Sequence, residues 1–267
     1  MGYILFTEVI YDICNHHNAV SSISIGTFII LAIVITYLPQ YIKIIKSKST
    51  NGISYNYLLL GNISNFTNFF GSLLLNYQII DCCSHTNTGH CINILLPIYQ
   101  MFFPWLCIFV LYIIFLIYNT GNDYRKAFIS FTLFILIWVV LIGIIGLILI
   151  IHYQSMKNHV TAFGNTLNII STITCIFTFL PQLMETYRIK STGSLSIISL
   201  AFQAPGSFLV FFYQNIILKT PFTIGFPYLI SGILQTALVL LSYYYERINS
   251  RIKSKENTPL IINYQME

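Results

Sequence analysis

Charge is what this sequence has least of. Only 8% of its 267 residues are Asp, Glu, Lys or Arg, and only eight of them are acidic, whereas a soluble domain carries about 25% charged residues. Apolar residues make up 56% of the chain, and the mean hydropathy is +0.74. This composition excludes a soluble globular domain and predicts a polytopic membrane protein whose partner is the lipid bilayer.

Signatures of enzymes and of processed N-termini are also missing. The apolar stretches contain no paired carboxylates, no histidine ladder and no Ser–His combination, so we expect neither enzymatic activity nor a cofactor. Residues 1–10 lack a basic start and include Glu8, which argues against a secretory signal. Phe6 stands where a myristoylation site needs Ser or Thr.

Seven uncharged segments are long enough to cross a bilayer, which takes about 20 residues of helix. In lipid a single segment can satisfy all its backbone polar groups only as a helix. We therefore predict an all-α membrane protein with seven transmembrane helices. The predicted spans are 20–42, 55–77, 92–118, 127–151, 160–184, 196–218 and 222–245.

The basic residues predict the orientation. Eleven of the thirteen follow the first, third, fifth or seventh span. By the positive-inside rule, residues 1–19 are lumenal and the tail 246–267 is cytosolic. All six histidines fall on the predicted lumenal side. The net charge of +5 thus reflects topology, and we expect no nucleic-acid partner.

A lumenal loop over residues 82–91 concentrates cysteine and histidine. Its potential metal ligands are Cys82, Cys83, His85, His90 and Cys91. The loop has no CxxC spacing, which favours a disulfide over a metal site in an oxidising lumen. The sequence leaves the pairing of Cys82, Cys83, Cys91 and the lumenal Cys14 open.

One pattern occurs twice, 142 residues apart. Leu38-Pro39-Gln40 is followed by Ser49-Thr50-Asn51-Gly52-Ile53-Ser54, and Leu180-Pro181-Gln182 is followed at the same distance by Ser191-Thr192-Gly193-Ser194-Leu195-Ser196. Internal repeats define architecture. Seven helices then divide as 3+1+3, with three-helix units at 20–118 and 160–245 and a linker helix at 127–151. One linker helix makes the units parallel, an arrangement of secondary transporters whose substrate site lies between the repeats.

These motifs resemble the PQ-loop repeat family, which includes cystinosin, lysosomal cationic amino acid exporters and, more distantly, SWEETs and KDEL receptors. The resemblance rests on Pro39-Gln40 and Pro181-Gln182 with their Ser-Thr loops, and it extends over all seven predicted helices. It implies two parallel three-helix PQ-loop repeats. In cystinosin-like members an aspartate associated with proton coupling follows the last motif serine of the second repeat by seven positions. Gln203 stands there in this chain, and Gly61 stands at the corresponding place in the first repeat.

The two motif prolines are candidate hinges. A proline inside a helix removes a backbone hydrogen bond and kinks the helix, and the amide of Gln40 or Gln182 can supply a donor to the freed carbonyl. Equivalent weak points in Pro39 and Pro181 suit the rocking of one repeat against the other. The alternative is a pair of static kinks.

Polar residues form stripes along the predicted membrane helices. Those of the second span recur at helical spacing, and Asn65 and Ser72 correspond to Ser207 and Gln214 at offset 142. Such residues are costly in lipid unless they face a cavity or a partner. We predict a substrate cavity, with hydrogen bonding between helices as the alternative. The predicted cavity residues are Asn62, Asn65, Asn68, Ser72, Asn165, Asn168, Gln203, Ser207 and Gln214.

The tail contains an acidic dileucine pattern, Glu256 followed by Leu260 and Ile261. Clathrin adaptors bind this pattern on endosomal and lysosomal proteins, although it also arises by chance. Together the features predict a carrier of the lysosomal, vacuolar or endosomal membrane. Its solute would be a small polar metabolite such as an amino acid, moved by alternating access. A cargo receptor and a non-transporting scaffold are the alternatives.

Overall fold

The computed structural model describes residues 20–48, 50, 54–77, 80, 83, 91–92, 95–119, 124–190 and 197–256. These residues form seven helices, so the prediction of an all-α membrane protein is confirmed. They are α1 (Val20–Ser47), α2 (Tyr55–Leu75), α3 (Leu96–Tyr118), α4 (Tyr124–Ile151), α5 (Tyr153–Ile189), α6 (Ile197–Phe212, continued by the π-helical turn Tyr213–Ile217) and α7 (Phe222–Glu256). All except α6 are individually long and apolar enough to cross a membrane, and α6 reaches a similar length with its π-helical turn.

Each predicted span coincides with one helix, and the differences lie at the ends. α5 begins at Tyr153 instead of 160, and α7 continues to Glu256 instead of ending at 245. Both extensions contain Lys, Arg, Glu or Gln. The helix propensities of these residues are similar to those of Leu and Met, so the helices can continue outside the hydrocarbon. α3 begins at Leu96 instead of 92, with Pro97 in its first turn, where proline fits a helix best.

Helix packing repeats along the chain. α1 and α2 both pack on α3, and α5 and α6 both pack on α7. Each triplet has its own apolar core, and the two cores contain equivalent residues: Leu58 and Leu200 at offset 142. This packing is consistent with the predicted 3+1+3 plan. α4 lies outside both triplets, against α2, α3 and α5, and exposes most of its apolar surface.

The two triplets meet mainly where α2 packs on α5. Gly71 and Gly164 allow this close contact, because a Cβ added at Gly71 would lie 2.8 Å from the Gly164 carbonyl oxygen. The symmetry-equivalent pair, α6 and α1, packs over a smaller area. The two contacts between the repeats are therefore unequal.

In the loop before α3, Cys83 and Cys91 form a disulfide, as the oxidising-lumen interpretation predicts. Cys14, Cys82, His85 and His90 lie outside the described residues.

Candidate functional site

A cavity of about 140 Å³ lies between the two triplets. Its lining residues come from α1, α2 and α3 of the first triplet and from α5, α6 and α7 of the second, with none from α4. The cavity therefore occupies the position between repeats at which secondary transporters bind their substrates.

The lining follows the internal repeat. Gly61 and Gln203, 142 residues apart, both face the cavity. In α3 and α7 we align Pro104 with Pro227, the prolines inside the two helices, which gives an offset of 123 for this pair of helices; both prolines line the cavity. Further pairs that line the cavity are Ile29 and Ser171, Ile33 and Cys175, Thr36 and Thr178, Tyr37 and Phe179, Ser64 and Gly206, Asn65 and Ser207, Asn68 and Val210, and Ile108 and Ser231. Because both members of each pair contribute, the cavity lies on the pseudo-twofold axis.

The cavity wall combines neutral polar groups with aromatic rings. None of the lining residues is Asp, Glu, Lys, Arg or His. The rings include Tyr37, Tyr57, Phe179 and Tyr228, and Tyr57 packs edge-on against Phe179 with ring centroids 6.2 Å apart. Such a wall offers hydrogen-bonding groups and apolar contact but no counter-charge.

Four of the predicted cavity residues line it: Asn65, Asn68, Gln203 and Ser207. In two of them the side-chain amide nitrogen donates a hydrogen bond to a group of the same helix. The Asn65 amide nitrogen donates to the Gly61 carbonyl at 2.8 Å, and that of Gln203 donates to the Ser199 hydroxyl at 3.2 Å. These two bonds hold both amides through their nitrogen atoms. Their role in solute binding remains a prediction.

Asn68 is the most exceptional of the four. Its side chain is only 3% exposed, and its Nδ2 contacts the Met101 sulfur at 3.4 Å. Its Oδ1 has no hydrogen-bond partner. A buried acceptor without a partner destabilises a fold by about 1–3 kcal/mol. Asn68 forms part of the cavity wall, but its Oδ1 is covered by neighbouring atoms, so a solute donor reaches this acceptor only when those neighbours shift.

The other five predicted residues do not line this cavity: Asn62, Ser72, Asn165, Asn168 and Gln214. Four of them have hydrogen bonds with neighbouring groups, which is the alternative that the sequence left open. Asn62 donates to Ile108 of α3 at 3.3 Å, and Asn165 accepts from Thr223 of α7 at 2.8 Å. Ser72 accepts from Asn76 within α2, and Gln214 donates to α3. Asn168 is fully buried beside Gly71, and neither atom of its amide has a partner.

Several residues that line the cavity were not predicted from the sequence. Ser64 and Ser171 join α2 to α5, and each hydroxyl donates to the other residue's carbonyl, at 2.9 and 2.7 Å. Serine and threonine in membrane helices often bond their own backbone, so they give a weak signal individually. The equivalence of Thr36 and Thr178 at offset 142 is a signal that could have identified that pair.

Comparison with known proteins identifies the repeats. The model of the PQ loop repeat family matches residues 22–81 and 163–224, which cover most of α1–α2 and most of α5–α6. The chain contains two PQ-loop repeats. It is 26% identical over 268 residues to a protein of Schizosaccharomyces pombe that is described as uncharacterized; the match covers 88% of this chain and 84% of the relative. A eukaryotic SWEET transporter structure is 15% identical, with a TM-score of 0.49, and the match covers 85% of this chain and 99% of the SWEET chain.

The motif prolines of this PQ-loop repeat protein lie away from the cavity. Pro39 and Pro181 are inside α1 and α5, with exposed side chains, while Gln40 and Gln182 are half-buried. Both prolines follow the cavity-lining part of their helix by a few residues. They are thus placed where a bend would move the remainder of the helix relative to the cavity. Whether they act as hinges remains a prediction. Of the two Ser-Thr loops, residues 49, 51–53 and 191–196 lie outside the described part.

Substitution tests the hinge. Pro181→Ala is expected to restore a backbone hydrogen bond in α5, to leave folding intact or slightly improved, and to slow turnover. The rate of solute exchange in proteoliposomes measures the effect, and Pro39→Ala is its repeat-equivalent. Turnover equal to that of the parent would show that the proline is a fixed kink.

Proposed function

We propose that this PQ-loop repeat protein is a membrane transporter that moves a small polar solute by alternating access between its two repeats. The supporting observation is the cavity on the pseudo-twofold axis, lined by equivalent residues of both triplets. Rocking of one triplet against the other around this cavity would expose the same wall to either side of the membrane in turn. The solute we propose is an amino acid or a similar polar metabolite, exported across a lysosomal or vacuolar membrane.

The size and chemistry of the cavity support a small solute. A volume of about 140 Å³ is close to that of an engineered cavity of about 150 Å³ that binds benzene. Amide and hydroxyl groups of Asn65, Asn68, Gln203 and Ser207 would bond the polar groups of the solute. A cargo receptor for a peptide carboxylate would need basic residues there, and the lining contains none. A neutral cavity is still compatible with a non-transporting scaffold.

Counterflow separates a carrier from a scaffold. Purified protein in proteoliposomes loaded with one unlabelled neutral amino acid at a time should accumulate the same labelled compound transiently from outside. The control is a Ser207→Trp variant, whose side chain would fill the cavity. Absence of counterflow across a panel of amino acids and other small polar metabolites would contradict the proposed function.

Location is part of the proposal. Glu256 ends α7, while Leu260 and Ile261 lie outside the described residues. If a clathrin adaptor binds this pattern, the double variant Leu260→Ala with Ile261→Ala should move from endolysosomal membranes to the cell surface. Surface biotinylation measures the shift, with the neighbouring Asn263→Ala as the control. Unchanged location of the double variant would remove the tail from the proposal.

We expect that solute transport is not coupled to the movement of protons. Gln203 and Gly61, the two positions that correspond to the coupling aspartate, both line the cavity, and neither can titrate. We therefore expect uniporter-like behaviour. Transport at a fixed solute gradient should be unchanged by an imposed proton gradient. Uphill accumulation driven by protons alone would contradict this expectation.

A further inference from the structure

Two fully buried glutamines connect the repeats at one end of the cavity. Gln214 of the second repeat donates through Nε2 to Oε1 of Gln100 in the first repeat at 3.0 Å, and to the Pro97 carbonyl at 3.3 Å. Both side chains are 0% exposed. The bonds continue to α1, because Gln100 Nε2 donates to the Gly26 carbonyl at 3.2 Å. One chain of amides thus connects α6, α3 and α1.

The pair lies one helical turn beyond the cavity wall. Gln100 precedes the lining residue Pro104 by four positions, and Gln214 follows the lining residue Val210 by four. Both lie toward the membrane face at which α6 ends and α7 begins, which is the predicted lumenal face. An apolar layer packs at the same level; it consists of Ile29, Met101, Val210, Tyr213 and Ile224. Together these groups form a packed layer beyond that end of the cavity wall.

The backbone at Gln214 is also unusual. The turn Tyr213–Ile217 is π-helical, and the Thr220 hydroxyl donates to the backbone carbonyl of Gln214 at 2.9 Å and lies 3.3 Å from its Oε1. π-helical turns are rare and occur frequently at functional sites. The wider turn and the threonine bond together hold the Gln214 amide toward α3.

The equivalent contact between the repeats, α2 with α7, has no such pair of glutamines. The positions equivalent to Gln214 and Gln100 are Ser72 and Thr223. Ser72 accepts from Asn76 in its own helix, and Thr223 donates to Asn165 within the second repeat. The equivalent pair Ser72 and Thr223 therefore forms no such bond, and the side-chain contact between α2 and α7 is instead a hydrogen bond between Asn68 and Tyr228. On that side, the glycine contact between α2 and α5 joins the repeats instead.

We infer that Gln100 and Gln214 form a gate, a hydrogen bond between repeats that must break for the cavity to open toward the face where α6 ends. This inference rests on the proposed transport function, because it assigns the two glutamines to one of its two conformations. Breaking the bond leaves amides to be hydrated by entering water, so its cost is that of one ordinary hydrogen bond. Such a bond can stabilise the closed state and still open during each cycle.

The native Cys175 thiol, which lines the cavity and is 5% exposed, reports opening without any solute. The full chain is reconstituted in proteoliposomes, and vesicles that expose a C-terminal tag are removed on a resin. In the remaining vesicles the face where α6 ends is outside, because α7 crosses the membrane from there. A charged, impermeant methanethiosulfonate is added outside, and peptide mass spectrometry measures the labelling rate of Cys175.

Gln100→Leu and Gln214→Leu should each raise this rate about fivefold, which corresponds to the loss of about 1 kcal/mol from one hydrogen bond. The double variant should be no faster than the faster single variant, because both remove the same bond. In the vesicles retained on the resin the rate should fall, since the population shifts away from the opposite opening. A variant that merely loosened the fold would label faster from both sides.

Asn76→Leu is the matched control, a buried amide at the same end of α2 whose side-chain hydrogen bonds stay within that helix. Equal rates in the parent and both glutamine variants would overturn the gate, as would additive effects or an equal rise in Asn76→Leu. If Gln214→Leu does not fold, Thr220→Val removes the bond that orients Gln214 and should raise the rate to a smaller extent; no change would equally overturn the gate. The assay needs no transported solute, so failure of transport and failure of the gate are separate results.

Discussion

Gly71→Ala is expected to destabilise the protein strongly. A Cβ at this position would lie 2.5 Å from Asn168 Oδ1 and 2.8 Å from the backbone oxygen of Gly164. The backbone atom cannot rotate away, so α2 and α5 must separate at the most extensive contact between the repeats. Overpacking costs about 1–3 kcal/mol. For a chain of this size each kcal/mol lowers Tm by about 2–4 °C, so a decrease of about 5 °C in detergent is the central expectation.

The matched control is Gly143→Ala in α4. A Cβ there would meet nothing within 4 Å. Alanine favours helix over glycine by about 1 kcal/mol, so the control should keep or raise Tm. Replacing glycine by alanine is thus expected to lower Tm at Gly71 and to keep or raise Tm at Gly143. Equal Tm changes in both variants would show that α2 and α5 do not approach as closely as the structure indicates.

Asn68→Leu is expected to reduce transport at least about fivefold with little change in stability. The substitution removes a weak contact to the Met101 sulfur and a hydrogen bond with Tyr228, but it also removes a buried Oδ1 that has no partner. These contributions to stability offset one another, whereas a solute donor that bonds Oδ1 becomes unpaired, at a cost of about 1–3 kcal/mol. Counterflow and Tm, measured on the same preparation, test the two halves of this prediction.

Asn62→Leu, one and a half turns earlier in α2, provides the contrast. Asn62 Nδ2 donates to the Leu58 carbonyl at 2.8 Å and to the Ile108 carbonyl of α3 at 3.3 Å. Its loss should lower Tm, while transport per folded molecule changes little. If Asn68→Leu lowers Tm as much as Asn62→Leu and transport stays intact, Asn68 bonds the helices and not a solute.

Apolar length and repetition determine the fold at the level of sequence. Lipid leaves a long uncharged segment one regular structure, so each predicted span appears as a helix. The recurrence of the Pro-Gln motif at offset 142 predicted the paired units, and equivalent positions such as Thr36 and Thr178 indeed line one cavity. The apolar spans are local features and the repeat depends only on spacing along the chain, so both can be predicted from the sequence.

The tertiary structure alone decided which polar residues line the cavity. Asn62, Asn65 and Asn68 share one stripe of α2, yet Asn62 faces α3 while the other two line the cavity. One part of the polar face of α2 contacts a neighbouring helix, and the adjoining part lines the cavity. Helical periodicity places residues on this face but cannot predict which of the two surroundings each residue meets. The hydrogen bond from Gln214 to Gln100 could not be predicted from the sequence either. Its two side chains are 114 residues apart in the chain, and only the docking of the two repeats brings them within hydrogen-bonding distance.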